Sequence, residues 1–140
     1  MIAYAESSAV LCWLLGEAGQ REVRGLLAGA ERIVASTLTR VECARALARG
    51  AATARLSAAQ ELAALQLLDR AATSWVTLEM SGRVLDRARA RFPREPVRTL
   101  DAIHLATALM FHEVHTGLSL LSLDDPLREN ASALGLSVAP

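Results

Sequence analysis

The stretch Ile2-Ala3-Tyr4-Ala5-Glu6-Ser7-Ser8-Ala9-Val10-Leu11-Cys12-Trp13-Leu14-Leu15-Gly16 holds the pattern on which the fold turns. Ile2 to Ala5 is a short apolar run, as expected of a buried strand, and an acid follows it directly. Ser7 or Ser8 can then cap a helix that runs through Leu15 and is stopped by Gly16. A strand passing straight into a helix is the opening half of a βαβ crossover.

The same alternation continues outward from this unit. Arg21 to Ala30 has helical spacing and precedes Arg32-Ile33-Val34-Ala35, a second strand. Helices are expected from about Leu38 to Ala51 and from Ala58 to Ala72, the latter opened by Ser57 with Glu61 in its first turn. Ser74 to Leu78, with Trp75, Val76 and Thr77, reads as a third strand. A helix from Met80 to Ala90 gives way to the loop Phe92 to Arg98, which Pro93 and Pro96 exclude from continuous helix. Leu100 to Phe111 is an Ala/Leu-rich helix, Leu118 to Leu123 a strand, Pro126 to Leu134 a helix and Leu136 to Val138 a final strand. Strands separated by helices imply right-handed crossovers, hence an α/β fold with a parallel sheet covered on both faces. Ligand sites of such sheets lie beyond the carboxyl ends of the strands.

Composition agrees with one compact domain over residues 1–140. The chain has 15 cationic and 15 acidic side chains, 52% hydrophobic residues, 4 prolines and 4% aromatics, which excludes disordered, collagenous, coiled-coil and disulfide-scaffold classes. Zero net charge gives no global attraction to nucleic acid or membrane, so any such contact must be local. Every cation is Arg, a feature that fits coding bias better than selection for phosphate contacts. Cys12 and Cys43 lie apart in apolar helical patterns and are expected to be reduced and buried, in a cytoplasmic protein. The opening MIAYAE has no basic region, and the apolar run Ala9 to Leu15 falls well short of a membrane span.

Glu6 closes the first strand, Asp124 follows the fourth, and Glu42 and Asp101 fall in the first turns of two helices. Acids so placed can converge at one end of a parallel sheet. Local explanations exist for two of them. Thr39-Arg40-Val41-Glu42 fits a capping box with Thr39 as cap. Asp101 follows a plausible Thr99 cap and favours the helix dipole by about 0.3–1 kcal/mol. In Asp124-Asp125-Pro126, Pro126 fits the first helical position and makes Asp125 the natural cap, which leaves Asp124 without a structural task. Glu6 precedes two serines that are better caps, so capping does not account for its burial. Carboxylates gathered in one cleft repel unless neutralised, and a hard divalent cation, Mg²⁺ or Mn²⁺, neutralises them with oxygen ligands alone. Such a centre can activate water against a phosphodiester. His104, His112 and His115 match no zinc spacing, and GxGxxG, GxxxxGK[ST] and GxSxG motifs are absent. His104, one turn after Asp101, borders the cleft or packs beneath it.

Taken together, Tyr4-Ala5-Glu6-Ser7-Ser8-Ala9, Thr39-Arg40-Val41-Glu42, Thr99-Leu100-Asp101-Ala102-Ile103-His104-Leu105-Ala106-Thr107-Ala108 and Ser122-Leu123-Asp124, followed by Leu134-Gly135-Leu136, resemble PIN-domain ribonucleases, and among them VapC-type toxins of toxin–antitoxin pairs. The resemblance runs in order over nearly the whole chain. It implies a three-layer α/β/α sandwich with a central, mainly parallel sheet, and a Mg²⁺- or Mn²⁺-dependent endoribonuclease acting on RNA. It places Glu6, Glu42, Asp101 and Asp124 at the acidic, metal-holding positions and Ser8 and Ser122 at supporting hydroxyl positions. It further implies a homodimer held in check by a VapB-type antitoxin. The first family acid is usually Asp; Glu6 moves its carboxylate outward by one methylene, and metal chemistry tolerates little misplacement. Two other outcomes follow from that family: a PIN-fold binding module with weakened catalysis, and an RNA-processing nuclease without an antitoxin.

Between Arg83 and Arg98 lie six arginines (83, 87, 89, 91, 94 and 98) against Asp86 and Glu95. That density makes Arg83, Arg87, Arg94 and Arg98 the expected phosphate contacts, against the alternative of a solvated helix face. Trp13 and Trp75 sit in core-like runs, so no aromatic platform for bases is expected. The helix from Ala58 to Ala72 is apolar enough to serve either a dimer interface or the core.

Overall fold

The computed structural model describes residues 1–140. Its sheet has five strands, β1 (Ile2–Ala5), β2 (Arg32–Ser36), β3 (Val76–Leu78), β4 (Leu118–Leu121) and β5 (Ser137–Ala139), in the order β3-β2-β1-β4-β5. Every pairing is parallel. The helices are α1 (Ser7–Leu15), α2 (Gln20–Gly29), α3 (Thr37–Ala52), α4 (Ala58–Ala72), α5 (Gly82–Arg89), α6 (Thr99–Val114) and α7 (Asp125–Ala133).

Side-chain alternation along the strands divides the core into two layers. Ala3, Ala5, Ala35 and Leu121 face α1 to α4 and pack with Val10, Val23, Cys43, Leu68 and Trp75. Tyr4, Val34, Leu118 and Leu120 face the other way, against Leu105 and Phe111 of α6 and Leu127 of α7. The alanines of β1 let α1 and α3 approach the sheet closely, while Tyr4 fills the opposite layer and is fully buried. A smaller cluster, Leu38, Val84, Ile103 and Ala106, joins α3, α5 and α6.

The strand order reverses its direction of growth at β1, with β2 on one side and β4 on the other. Tyr4 is in register with Leu120 and Ala5 with Leu121, so both strands end level, and the Glu6 N–H donates to the Leu121 carbonyl at 3.1 Å. This is the switch point at which open α/β sheets bind ligands.

Several helix starts differ from the sequence expectation. Neither Ser7 nor Ser8 caps α1; Glu6 does, accepting from the Ser8 N–H. Ser36, not Thr39, caps α3, so Glu42 lies beyond the first turn and forms no capping box. Arg98 takes the cap position of α6 without a side-chain bond, and Thr99 is already helical. Asp124, not Asp125, caps α7, with its carboxylate accepting from the Leu127 N–H at 3.0 Å. Ser74 and Trp75 belong to the turn after α4, bonding back to Ala71 and Ala72, and β3 begins only at Val76. β4 ends at Leu121, which releases Ser122 and Leu123 to the loop that carries Asp124. Ser57 does cap α4, in a reciprocal pair with Gln60. Gly16 ends α1 at φ +67°, a left-handed conformation that L side chains resist. No helix is long and apolar enough to cross a membrane.

Candidate active site

Glu6, Glu42, Asp101 and Asp124 line one cleft of about 490 Å³ at the carboxyl end of β1 and β4, together with Ser8 and Arg98. Glu6 arrives on the residue after β1, Asp124 on the loop after β4, Glu42 on the second turn of α3 and Asp101 on the first turn of α6. Ser122 is fully buried beneath it.

Glu6 is 4% exposed, yet its charge is surrounded by donors. Its Oε1 accepts from the Ser7 hydroxyl at 2.7 Å and from the Ser8 N–H at 3.1 Å. Its Oε2 accepts from the Ser122 hydroxyl at 2.8 Å, from the Ser8 N–H at 3.1 Å and from the Ser8 hydroxyl. The positive end of α1 adds to this stabilisation. The hydroxyls are themselves held, Ser8 Oγ by the Leu123 N–H at 2.8 Å and Ser122 Oγ by the Asp124 N–H at 3.1 Å. Ser8 and Ser122 are therefore the link between the β1 and β4 ends.

Glu42 is held from below. Its Oε1 lies 2.9 Å from the Ser7 hydroxyl, whose one hydrogen is shared between Glu6 and Glu42, and meets His104 Nε2 at 2.5 Å. His104 is fully buried, and its Nδ1 lies 2.9 Å from the Tyr4 hydroxyl. Burial, with the charges of Glu6 and Glu42, pushes the Tyr4 phenol far up, so it keeps its proton. His104 Nε2 carries a hydrogen aimed at Glu42, and Nδ1 meets the Tyr4 hydroxyl. Burial works against the charge on Glu42, but His104, Ser7 and Arg98 together outweigh it and hold the carboxyl below its ordinary range. Its Oε2 has no hydrogen-bond partner within the chain.

Asp101 and Asp124 share one cation. Arg98 Nε donates to Asp101 Oδ2 at 2.7 Å and its Nη2 to Asp124 Oδ2 at 2.9 Å. Burial lifts the Asp101 carboxyl above its ordinary range, the charges of Asp124 and Glu6 add to the rise, and Arg98 offsets only part of it. The cleft thus carries more negative charge than one guanidinium neutralises. With Arg98 between the two aspartates and Glu6 turned onto its serines, no three His, Cys, Asp or Glu side chains gather closely enough to hold a metal ion in this arrangement. The donor chemistry nevertheless suits a hard divalent cation, because all four acids offer oxygen and the cleft attracts positive charge.

Of the arginines expected to contact phosphate, Arg98 lines the cleft and Arg83, Arg87 and Arg94 do not. Arg83 pairs with Glu113 at 3.3 Å, Arg87 stacks over Phe92 at 4.4 Å from its ring centroid, and Arg94 faces Glu129 at 4.0 Å. Sequence reasoning passed over Ser7, which ties Glu6 to Glu42, and Arg45 and Arg49, which line the cleft. The helical spacing of 42, 45 and 49 could have shown them on one face.

The PIN domain family model matches residues 3–132. Ribonuclease VapC46 of Mycobacterium tuberculosis (strain H37Rv) is 37% identical over 135 residues, covering 96% of this chain and 94% of that protein. Ribonuclease VapC35 of Mycobacterium tuberculosis (strain CDC 1551) is 36% identical over 107 residues, 76% of this chain and 71% of that one. Among solved structures, Mycobacterium tuberculosis VapC20, described as a Sarcin-Ricin loop cleaving toxin, superposes with a TM-score of 0.67 at 18% identity over 97% of this chain and 96% of its own.

Proposed function

Because the chain belongs to the PIN-domain family, we propose that it is an endoribonuclease of the VapC type, the toxin of a toxin–antitoxin pair. The observation that carries this reading is the convergence of Glu6, Glu42, Asp101 and Asp124 on one cleft at the sheet switch point. The 37% identity to a VapC ribonuclease along nearly the full length supports the toxin assignment over a housekeeping nuclease.

Asp101 and Asp124 would hold Mg²⁺ or Mn²⁺, with Glu42 and Glu6 completing the acidic set. When bound, the ion would neutralise the acids, polarise the phosphodiester and make water a stronger nucleophile. The chain's own groups do the rest. Glu42 Oε2, kept open because His104 and Ser7 occupy Oε1, accepts a proton. Arg98, released from Asp101 and Asp124, turns its guanidinium to the phosphate oxygens. Ser8 and Ser122 fix Glu6 and, through it, the spacing of the β1 and β4 ends. We further assign it as a cytoplasmic single PIN domain, a homodimer, with a VapB-type antitoxin as inhibitor.

The test is cleavage of mixed cellular RNA by purified protein with Mg²⁺ or Mn²⁺, beside Asp101→Asn and Asp124→Asn. Loss of cleavage in both variants, by about a hundredfold or more, is expected; cleavage unchanged in both would overturn the reading. The saturated hydrogen bonding of Glu6 favours one second reading, a PIN-fold binding module with weakened catalysis. Glu6→Asp separates the two, because a weakened enzyme gains cleavage when the shorter acid is restored and a fully active one does not.

A further inference from the structure

The acidic cleft does not end at Arg98. It shares Ser8, Leu11, Ala46 and Arg49 with a neighbouring cavity of about 830 Å³ that continues to Arg55 and Leu56 past the end of α3. The two cavities form one groove whose near end holds the four acids and whose wall is α3. Arg45 and Arg49 rise from that wall, both exposed, and neither forms an ion pair with any carboxylate. Arg55, further along, is likewise exposed and unpaired.

We propose that this groove binds a single RNA strand, with Arg45 and Arg49 taking consecutive phosphates on one side of the scissile bond and Arg55 a more distant one. The inference rests on the nuclease reading and names the path by which its substrate enters. An acidic centre repels a polyanion, so the substrate must be held by cations beside it, and these arginines are the unpaired ones on the cleft's own wall. In the 83–98 segment Arg83, Arg87, Arg89, Arg94 and Arg98 are committed elsewhere, to Glu113, Phe92, Asp86, Glu129 and the aspartates themselves, and Arg91 lines neither cavity. Arg45 and Arg49 stand one turn apart, about 6 Å along the helix axis, which matches the step between neighbouring phosphates of an extended strand. Between them and α1 the groove is floored by Leu11, Ala46 and Leu123. Unpaired bases can lie on such a floor, whereas a duplex keeps its bases stacked inside and gains nothing from it. No aromatic side chain lines the groove, so binding is expected to tolerate most sequences.

The experiment measures binding of fluorescein-labelled oligouridylate by anisotropy in EDTA between 50 and 200 mM salt. Natural protein is compared with Arg45→Gln/Arg49→Gln and with Arg83→Gln/Arg89→Gln, and each is also assayed for RNA cleavage with Mn²⁺. Losing two phosphate contacts should flatten the log–log salt slope by about 1.4, so the natural protein should lose about sevenfold more affinity than the groove variant across that range. The 83/89 variant should keep the natural slope. Natural protein that cuts RNA while the groove variant keeps the full slope would overturn the groove assignment and leave the nuclease reading standing. Arginine-dependent binding with no cleavage would uphold the groove and overturn the nuclease reading, and absence of both would overturn both. Unchanged RNA binding with loss of inhibition by a VapB-type partner would give the groove to a protein segment and overturn the proposal.

Discussion

The buried relay from Tyr4 through His104 to Glu42 makes a quantitative demand that a double-mutant cycle can meet. Tyr4→Phe removes one oxygen from a fully buried ring and leaves His104 Nδ1 without its hydroxyl partner at 2.9 Å. Stranding one buried polar atom costs about 1–3 kcal/mol. Unfolding entropy of about 2.1 cal/mol/K per residue gives this chain about 0.3 kcal/mol/K, so Tm should fall by about 3–10 °C. His104→Leu takes the imidazole partner from the Tyr4 hydroxyl, leaving Thr107 and Ser36 beside it, and removes one donor from Glu42 as well. The double variant leaves an apolar pair with nothing unpaired between them, so it should be less destabilised than the sum of the singles by about 1–3 kcal/mol. Urea unfolding followed by circular dichroism measures all four corners. Additivity to within about 0.5 kcal/mol would mean that the Tyr4–His104 hydrogen bond is not made.

Glu42 sets the sign of part of the acid dependence. Its carboxyl is held below the ordinary range in the folded chain, so its stabilisation is complete above the unfolded value and is lost as pH falls through the folded one. Glu42→Gln should therefore be less stable than the natural protein above about pH 5, with the deficit shrinking as pH falls below that; a deficit that does not change with pH would contradict the shift. At the end of α1, Gly16→Ala meets no atom within 4 Å of the added Cβ, so its whole cost is the left-handed backbone at φ +67°. A loss of about 1 kcal/mol in denaturant unfolding is expected, and no loss would show that α1 ends otherwise.

Strand and helix order was legible because each β–α unit carries its own apolar run and its own stop signal. Glu6, Asp101 and Asp124 were legible because they stand at a strand end or a helix start, and Glu42 because it follows one within two turns. The capping was not, since it depends on where a strand ends and on how far the side chain can then reach. Glu is an uncommon cap, yet Glu6 fits because the Ser122 hydroxyl across the β4 end steadies its far oxygen. Pro126 misled in a similar way: it sits at the second helical position, which moves the cap back to Asp124. Charge density drew attention to the 83–98 arginines, but pairing decides whether a cation is available, and pairing across 30 residues, as from Arg83 to Glu113, has no local signal. Arg45 and Arg49 carry no such density and are marked only by sharing a face with Glu42.

Asp124 and Glu42 each serve the fold with one oxygen and leave the other to the cleft. Asp124 caps α7 with Oδ1 and meets Arg98 with Oδ2; Glu42 is anchored through Oε1 alone. Glu6 departs from this division, with both oxygens committed to serines and a backbone N–H. The Asp101 and Asp124 carboxylates would therefore be open to a cation once Arg98 turned away, with the α7 cap intact, whereas Glu6 would have to give up part of its own cap. This separates stability from catalysis in the choice of variants. Asp124→Ala loses the cap along with the charge, whereas Asp124→Asn keeps a side chain that caps nearly as well. If charge in the cleft is what cleavage needs, the Asn variant should unfold close to the natural midpoint and still fail to cut. A variant that cuts normally while remaining as stable would place the essential charge elsewhere.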